Sequence, residues 1–315
     1  MQKERTGIFP AKDAKFWKYV YLNLKLIREI RIRVGKPLLI YMNEKEVSLD
    51  TAGNLIYVIK KGKVFSYGEL QELIDYWCMD SRYAFQEEIK RGFLTIPGGH
   101  RIGICGETVD DISGNVRTIK YISGVNIRIA HEIKDAAQRI MSYLYRDGNI
   151  INSLIISPPG AGKTTLLRDI VRRISDGNET IRGRNVAIID ERGEIAACFQ
   201  GIPQLDVGMR SDVLSNCQKQ WGMSMVLRSM APEVIAVDEL GCKEEIELIQ
   251  SMYGSGCSVI ATMHGASLEE IRNKKILKEM REEKMFENII ILQRRQHNFQ
   301  IRIYKYGEEE PCYIC

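Results

Sequence analysis

The stretch Ser157-Pro158-Pro159-Gly160-Ala161-Gly162-Lys163-Thr164-Thr165 (SPPGAGKTT) decides how the rest of the chain is read. It follows the apolar run Leu154 to Ile156 and precedes the helical pattern KTTLLRDIVRRI, so strand, glycine-bearing turn and helix come in the order that a phosphate-binding loop requires. Gly160 and Gly162 allow the backbone to curl until its N–H groups face inward, and the helix N-terminus adds the positive end of its dipole. Lys163 is expected to reach the β- and γ-phosphates and Thr164 to bind Mg2+, with Pro159, Ala161 and Thr165 completing the cradle. Against the pattern GxxxxGK(S/T), Ser157 stands in place of the first glycine, at a position that ends the strand and does not touch phosphate. The bland alternative is a chance Gly-Lys-Thr at a strand–helix turn.

A phosphate loop alone leaves open whether the chain hydrolyses a nucleotide or only holds one. The segment PEVIAVDEL bears on this, because the apolar run Val234 to Val237 delivers Asp238 and Glu239 to the carboxyl end of a buried strand, where ligands sit in doubly wound sheets. Asp238 is placed to order the Mg2+ shell as a Walker-B aspartate does, and Glu239 to polarise an attacking water as general base. Two adjacent carboxylates at such a place are costly unless a cation offsets their repulsion. A further apolar strand, SVIATMHG, ends in Thr262 and His264, which could sense a γ-phosphate; a structural histidine would look the same in sequence. The strand VAIIDERGEI ends in Asp190 and Glu191 with Glu194 nearby, acids that either join the Mg2+ and water network or pair with Arg192 and its neighbours.

Around these motifs the chain divides into an α+β N-terminal domain (1–130), a helical linker (131–149) and an α/β domain (150–315). In the first, IRIRV (Ile30 to Val34) alternates at period two, and LIYVIKKGKV (Leu55 to Val64) is expected to repeat a strand–turn–strand pattern. Ser66 and Glu69 form a capping box ahead of Leu70, Leu73, Ile74 and Trp77, a second helix is expected from Ser81 to Arg91, and Phe93 to Gly106 and Ser123 to Ala130 return to strands. The spacing in HEIKDAAQRIMSYLYRDGN suits a helix ended by Asp147, Gly148 and Asn149. Beyond it, short fully apolar runs alternate with helical stretches, the signature of a mainly parallel sheet.

The chain has 315 residues, 45 basic against 41 acidic, for a net charge of +4, too small to argue for nucleic acid on electrostatics. No run of signal-peptide or membrane-spanning character is present, so a cytoplasmic protein is expected, reaching a membrane only through a partner. The cysteines lack disulfide-framework spacing, and the terminal Cys312-Tyr313-Ile314-Cys315 has no second pair to complete a zinc site. No guanine-recognition signature NKxD is evident, so ATP is the expected nucleotide.

Taken together, SPPGAGKTT, VAIIDERGEI, LRSMAPEVIAVDELG and TMHG resemble the secretion ATPases of the type II and type IV systems, within the RecA-like superfamily. More closely, ERGEIAAC, QLDVGMRSDVL, IRIRVGKPL and GGHRIGICGE resemble the stage III sporulation protein AA family of endospore-forming bacteria. The resemblance implies a RecA-like P-loop core behind a smaller N-terminal domain, an ATPase using ATP and Mg2+, and Lys163, Glu191, Glu239 and His264 as catalytic residues. It also implies nucleotide contacts from Arg101 and Arg128, an arginine before Walker B at Arg228, a homo-oligomeric, hexameric ring, and docking on a membrane-embedded platform protein on the mother-cell side. Asp238-Glu239 departs from the Gly-Glu of many relatives and restores an ordinary acid pair, while the four-cysteine zinc module of many type II relatives is missing. A nucleotide-gated scaffold without turnover, and a nucleic-acid motor, are the alternatives to set against an ATP-driven motor.

Overall fold

The computed structural model describes residues 7–112, 114–252, 256–265, 270, 280, 283–295, 298–305 and 311–314. The chain forms two units, Met1–His131 and Glu132–Cys315.

The first unit is built on an antiparallel sheet of β1 (Ile27–Arg33), β2 (Leu39–Met42), β3 (Lys45–Leu49), β4 (Leu55–Ile56), β5 (Phe93–Ile96), β6 (His100–Asp110) and β7 (Val116–Arg128), in the order β4-β3-β2-β1-β7-β6-β5. The alternation read in IRIRV puts Ile30 and Ile32 in the core, and Ile30 lies opposite Ile40 on one side and Ile127 on the other. Helix α1 (Ala14–Leu22), which no sequence signal announced, brings Trp17 into a stack with Phe9 at 3.6 Å between ring centroids. Helix α2 (Tyr67–Trp77) starts at the expected capping box, with Ser66 N–H on Glu69 Oε2 at 2.7 Å and Glu69 N–H on Ser66 Oγ at 3.2 Å.

Two local expectations are corrected. The segment Leu55 to Val64 is not two paired strands: β4 has only two residues, a 3-10 turn follows at Ile59–Lys61, and Val64 and Phe65 make single bridges to Pro37 and Val34. The consecutive lysines leave no alternating apolar face there to bury. The helix expected from Ser81 is split into a 3-10 turn, Arg82–Phe85, and a short α3 (Gln86–Lys90).

From Glu132 onward, the segment expected as a helical linker belongs to the second unit. It contains a 3-10 helix, Gln138–Leu144, and a hairpin of β8 (Tyr145–Arg146) and β9 (Asn149–Ile150). Ala137, Ile140 and Leu144 are fully buried in that unit's core, and Ala137 N–H donates to Asp169 Oδ2 at 2.8 Å. Tertiary burial here overrides the local helical spacing.

The sheet of the second unit comprises β10 (Ser153–Ser157), β11 (Val186–Asp190), β12 (Ser211–Ser215), β13 (Val234–Val237), β14 (Ser258–His264), β15 (Asn288–Arg295), β16 (Asn298–Lys305) and β17 (Tyr313–Ile314). Their order is β12-β11-β13-β14-β10-β15-β16-β17, parallel from β12 to β15 and antiparallel thereafter. Helices α4 (Lys163–Asp176), α5 (Lys219–Ser229) and α6 (Lys243–Met252) supply its cover. Ile155, Ile188, Ala236 and Ile260 pack with Leu167, Ile170 and Val171 of α4, whereas Leu154, Ile189, Ile235 and Val259 pack with Met223 of α5 and Ile249 of α6. The apolar runs are thus buried on both faces, which is why they carry no polar alternation. Because β14 is inserted between β10 and β13, its carboxyl end stands between the phosphate loop and the acid pair. Among the described residues, no helix is long and apolar enough to cross a membrane.

Candidate active site

The loop after β10 turns through Gly160 at φ +74° and Gly162 at φ +91°, a region that side-chain-bearing residues adopt only at a cost. Gly162 is the N-cap of α4, and no side chain caps that helix, so its first-turn amides are left to an acceptor from outside the helix. Lys163 is buried, Thr164 and Thr165 are half-buried, and Pro159 and Gly160 are exposed at the mouth.

The acid pair faces this loop. Lys163 Nζ donates to Glu239 Oε1 at 2.7 Å and lies 3.5 Å from Asp238 Oδ1, while Thr164 Oγ1 donates to Asp238 Oδ2 at 2.7 Å. The carboxylates are only 12% and 14% exposed, and the cation that the sequence argument required for them is the loop lysine itself. Glu239 is further paired with His264 Nε2 at 2.8 Å and with Arg192 at 2.5 Å. Burial alone raises the Glu239 carboxyl, but the hydrogen bond and charge of Lys163, with His264 and Arg192, outweigh it and hold its pKa below the ordinary carboxylate value.

Thr262, considered above as a phosphate sensor, is fully buried and its hydroxyl is committed: it donates to Asp238 Oδ1 and accepts the Glu239 N–H at 2.9 Å. It ties the two acids together from the strand between them and the loop. His264 is the register partner of Ser157, which places the histidine beside the start of the loop.

The acidic segment after β11 divides its labour. Asp190 is buried and accepts backbone N–H groups from Glu194 at 2.8 Å, Ile195 at 3.1 Å and Ala196 at 2.9 Å, so it folds the loop that follows. Its burial pushes its pKa up despite these donors. Glu191 is more exposed and lies 3.5 Å from Lys219 Nζ. Asp190, Glu191, Arg192, Glu194, Lys219, Asp238 and Glu239 line one small cleft.

Two residues of this neighbourhood carried no sequence motif. Arg168, buried on α4, donates to the carbonyls of Ile195 and Glu194, the latter at 2.8 Å, and so fastens the acidic loop to the phosphate-loop helix. Lys219, at the start of α5, contacts Glu191, Glu245 and the Glu239 carbonyl. In sequence Arg168 is one of three arginines on α4, with Arg172 and Arg173, and nothing in the spacing singles it out.

The remaining expected residues are found as follows. Arg101 and Arg128 belong to the first unit, where they are register partners across β6 and β7, and the Arg101 guanidinium stands 4.1 Å from the centroid of the Phe93 ring. Arg228 is exposed in the last turn of α5. Cys312 is exposed, and Cys315 lies outside the described residues.

The family model described as "Sporulation stage III, protein AA" matches residues 3–309. The chain is 38% identical over 270 residues to Stage III sporulation protein AA of Bacillus subtilis (strain 168), covering 85% of this chain and 83% of that protein. Its structure is similar to that of the ATPase DotB of Legionella pneumophila, with a TM-score of 0.58 and 16% identity over 98% of this chain and 84% of that one. It is also similar to the pilus retraction motor PilT, crystallised with bound ADP, with a TM-score of 0.62 and 13% identity over 94% of this chain and 84% of that one. At these identities the two structures establish the fold alone, an α/β core built on a mainly parallel sheet.

Proposed function

The chain belongs to the sporulation stage III protein AA family, and from that premise we propose that it is a Mg2+-dependent ATPase of the secretion-ATPase type. One observation carries the reading: Lys163 and Thr164 of the phosphate loop meet Asp238 and Glu239 at one rim of a parallel sheet. In this reading the loop amides and Lys163 bind the β- and γ-phosphates of ATP, with Pro159, Gly160, Ala161, Gly162 and Thr165 shaping the cradle. Thr164 and Asp238 offer a hydroxyl and a carboxylate oxygen to Mg2+, hard donors of the kind that ion takes. When bound, Mg2+ neutralises phosphate charge.

Glu239 accepts a proton from the attacking water as general base; its lowered pKa keeps it ionised at neutral pH. Asp238 is oriented by Thr164 and Thr262, and His264 orients the Glu239 carboxylate. Glu191, held near Lys219, completes the acidic rim. In this reading the chain acts as a hexameric ring on a membrane-embedded platform protein during endospore formation, from the mother-cell cytoplasm. The net charge of +4 gives no electrostatic argument for a nucleic-acid substrate.

Phosphate release under saturating Mg-ATP tests this. Glu239→Gln is expected to bind ATP and lose roughly 100- to 10,000-fold in turnover, the span of general-base catalysis. Lys163→Ala is expected to weaken ATP binding. Turnover that survives both substitutions removes the reading, and light scattering of Glu239→Gln with and without Mg-ATP tests the ring.

A further inference from the structure

Glu239 has φ +57°, a left-handed conformation that a side-chain-bearing residue adopts only at a cost and keeps only where its surroundings over-determine it. Both ends of this residue's backbone are held. On one side its N–H donates to Thr262 Oγ1 at 2.9 Å. On the other, Lys219 Nζ donates to its carbonyl oxygen.

Lys219 is itself held. Its side chain is 10% exposed, and its ammonium lies 3.1 Å from Glu245 Oε1 and 3.5 Å from Glu191 Oε2. Glu245 is also buried, and its other oxygen accepts the N–H groups of Gly241 at 2.8 Å and Cys242 at 3.3 Å. The ammonium therefore joins the start of α5, the acidic loop after β11, the turn before α6 and the peptide of Glu239. One of its donors goes to the Glu239 carbonyl, and two carboxylates lie within ion-pair distance of its charge.

We propose that Lys219 is a positioning residue for hydrolysis, holding the Glu239 peptide in its left-handed conformation so that the carboxylate is presented to the phosphate loop. The proposal rests on the reading of Glu239 as general base. A cation whose only task was to neutralise Glu245 and Glu191 would have no need of the Glu239 carbonyl.

Steady-state hydrolysis and binding of a fluorescent ATP analogue by the full chain test it, on wild type, Lys219→Met, Lys219→Arg, Glu239→Gln and the Lys219→Met/Glu239→Gln double variant. A displaced base costs roughly 10- to 100-fold in kcat, and this is the loss expected for Lys219→Met, with nucleotide affinity held within about threefold. Lys219→Arg restores most of the loss, and Lys219→Met costs nothing further once Glu239 is glutamine. The proposal is overturned if Lys219→Met keeps kcat within about threefold of wild type, or if it costs the same factor in both backgrounds. Lys219→Met/Glu245→Gln removes the carboxylate deprived of its cation and serves where the single variant fails to fold. An inactive wild type would defeat the ATPase reading, and the proposal would then be decided by the crystal structure of Lys219→Met. Glu239 leaving the left-handed region supports it, and Glu239 keeping that conformation with its Lys163 contact overturns it.

Discussion

Replacing Thr262 by valine separates two roles that a threonine at this strand end can have. The side chain is fully buried, and its one oxygen serves both acids: it donates to Asp238 Oδ1 and accepts the Glu239 N–H at 2.9 Å. Valine has nearly the same shape, so the exchange creates no cavity, and what it removes is hydrogen bonding alone. Asp238 loses a donor to a charged acceptor, about 1.5–3 kcal/mol, and the Glu239 amide is left buried without an acceptor, about 1–3 kcal/mol. Because both losses fall on one atom they are not strictly additive, and the expected destabilisation is about 2–5 kcal/mol. Urea unfolding followed by circular dichroism measures it, with Thr262→Ser as the control that keeps the hydroxyl. Turnover falls with stability, since the freed Glu239 amide no longer fixes the base. A threonine that only sensed phosphate would weaken nucleotide binding and leave unfolding unchanged. If valine and serine variants unfold within about 0.5 kcal/mol of each other, the hydroxyl is not the tie between the acids.

Other consequences are open to measurement. His100 is buried, its Nδ1 accepts the Ala130 N–H at 3.0 Å, and burial, with the charge of His131, lowers its pKa from 6.5 to about 4. Its folded pKa lies below the unfolded value, so the unfolded chain takes up the proton first. Stability is therefore expected to fall by up to about 1.4 kcal/mol per pH unit between pH 6.5 and about 4, a slope absent in His100→Gln by urea titration. Arg168→Met leaves the carbonyls of Glu194 and Ile195 without their donor, and is expected to cost about 1–3 kcal/mol in unfolding and to speed amide exchange in the loop after β11. Ser66→Ala breaks the capping box of α2 and is expected to cost about 1 kcal/mol in thermal unfolding, with ATP turnover unchanged.

The parts of this chain that were legible in its sequence are those whose chemistry is local. A phosphate loop announces itself because glycines, lysine and hydroxyls must be consecutive, and a buried parallel strand because both its faces are apolar, as Val234 to Val237 are. The capping box at Ser66 is equally local, being two reciprocal bonds within four residues. The strand Ser211–Ser215 escaped notice because it lies at the sheet edge, carries polar residues and has none of its residues fully buried. The 131–149 segment misled for the opposite reason: its helical spacing is real, but Ala137, Ile140 and Leu144 are used to close the core of the second unit. Lys219 and Arg168 were invisible because each acts on backbone carbonyls brought near by the fold, and no spacing rule records a carbonyl.

The acid pair also shows why its attraction for a phosphate loop is not all available to a phosphate. Asp238 and Glu239 are adjacent, nearly buried and of like charge, an arrangement that only cations make tolerable. The protein supplies them internally, with Lys163 between both carboxylates and with His264 and Arg192 on Glu239. Under the proposed reading, a triphosphate seated in the loop draws on the same Lys163 ammonium. Its gain from that cation is offset by what Glu239 and Asp238 give up. His264 and Arg192 soften the exchange, since Glu239 keeps cationic partners when the lysine turns to phosphate. Losing the lysine also removes the largest influence that lowers the Glu239 pKa, so the carboxylate becomes a stronger base when the substrate occupies the loop. The contact that stabilises the acid pair is thus the same contact that ties its basicity to the arrival of phosphate.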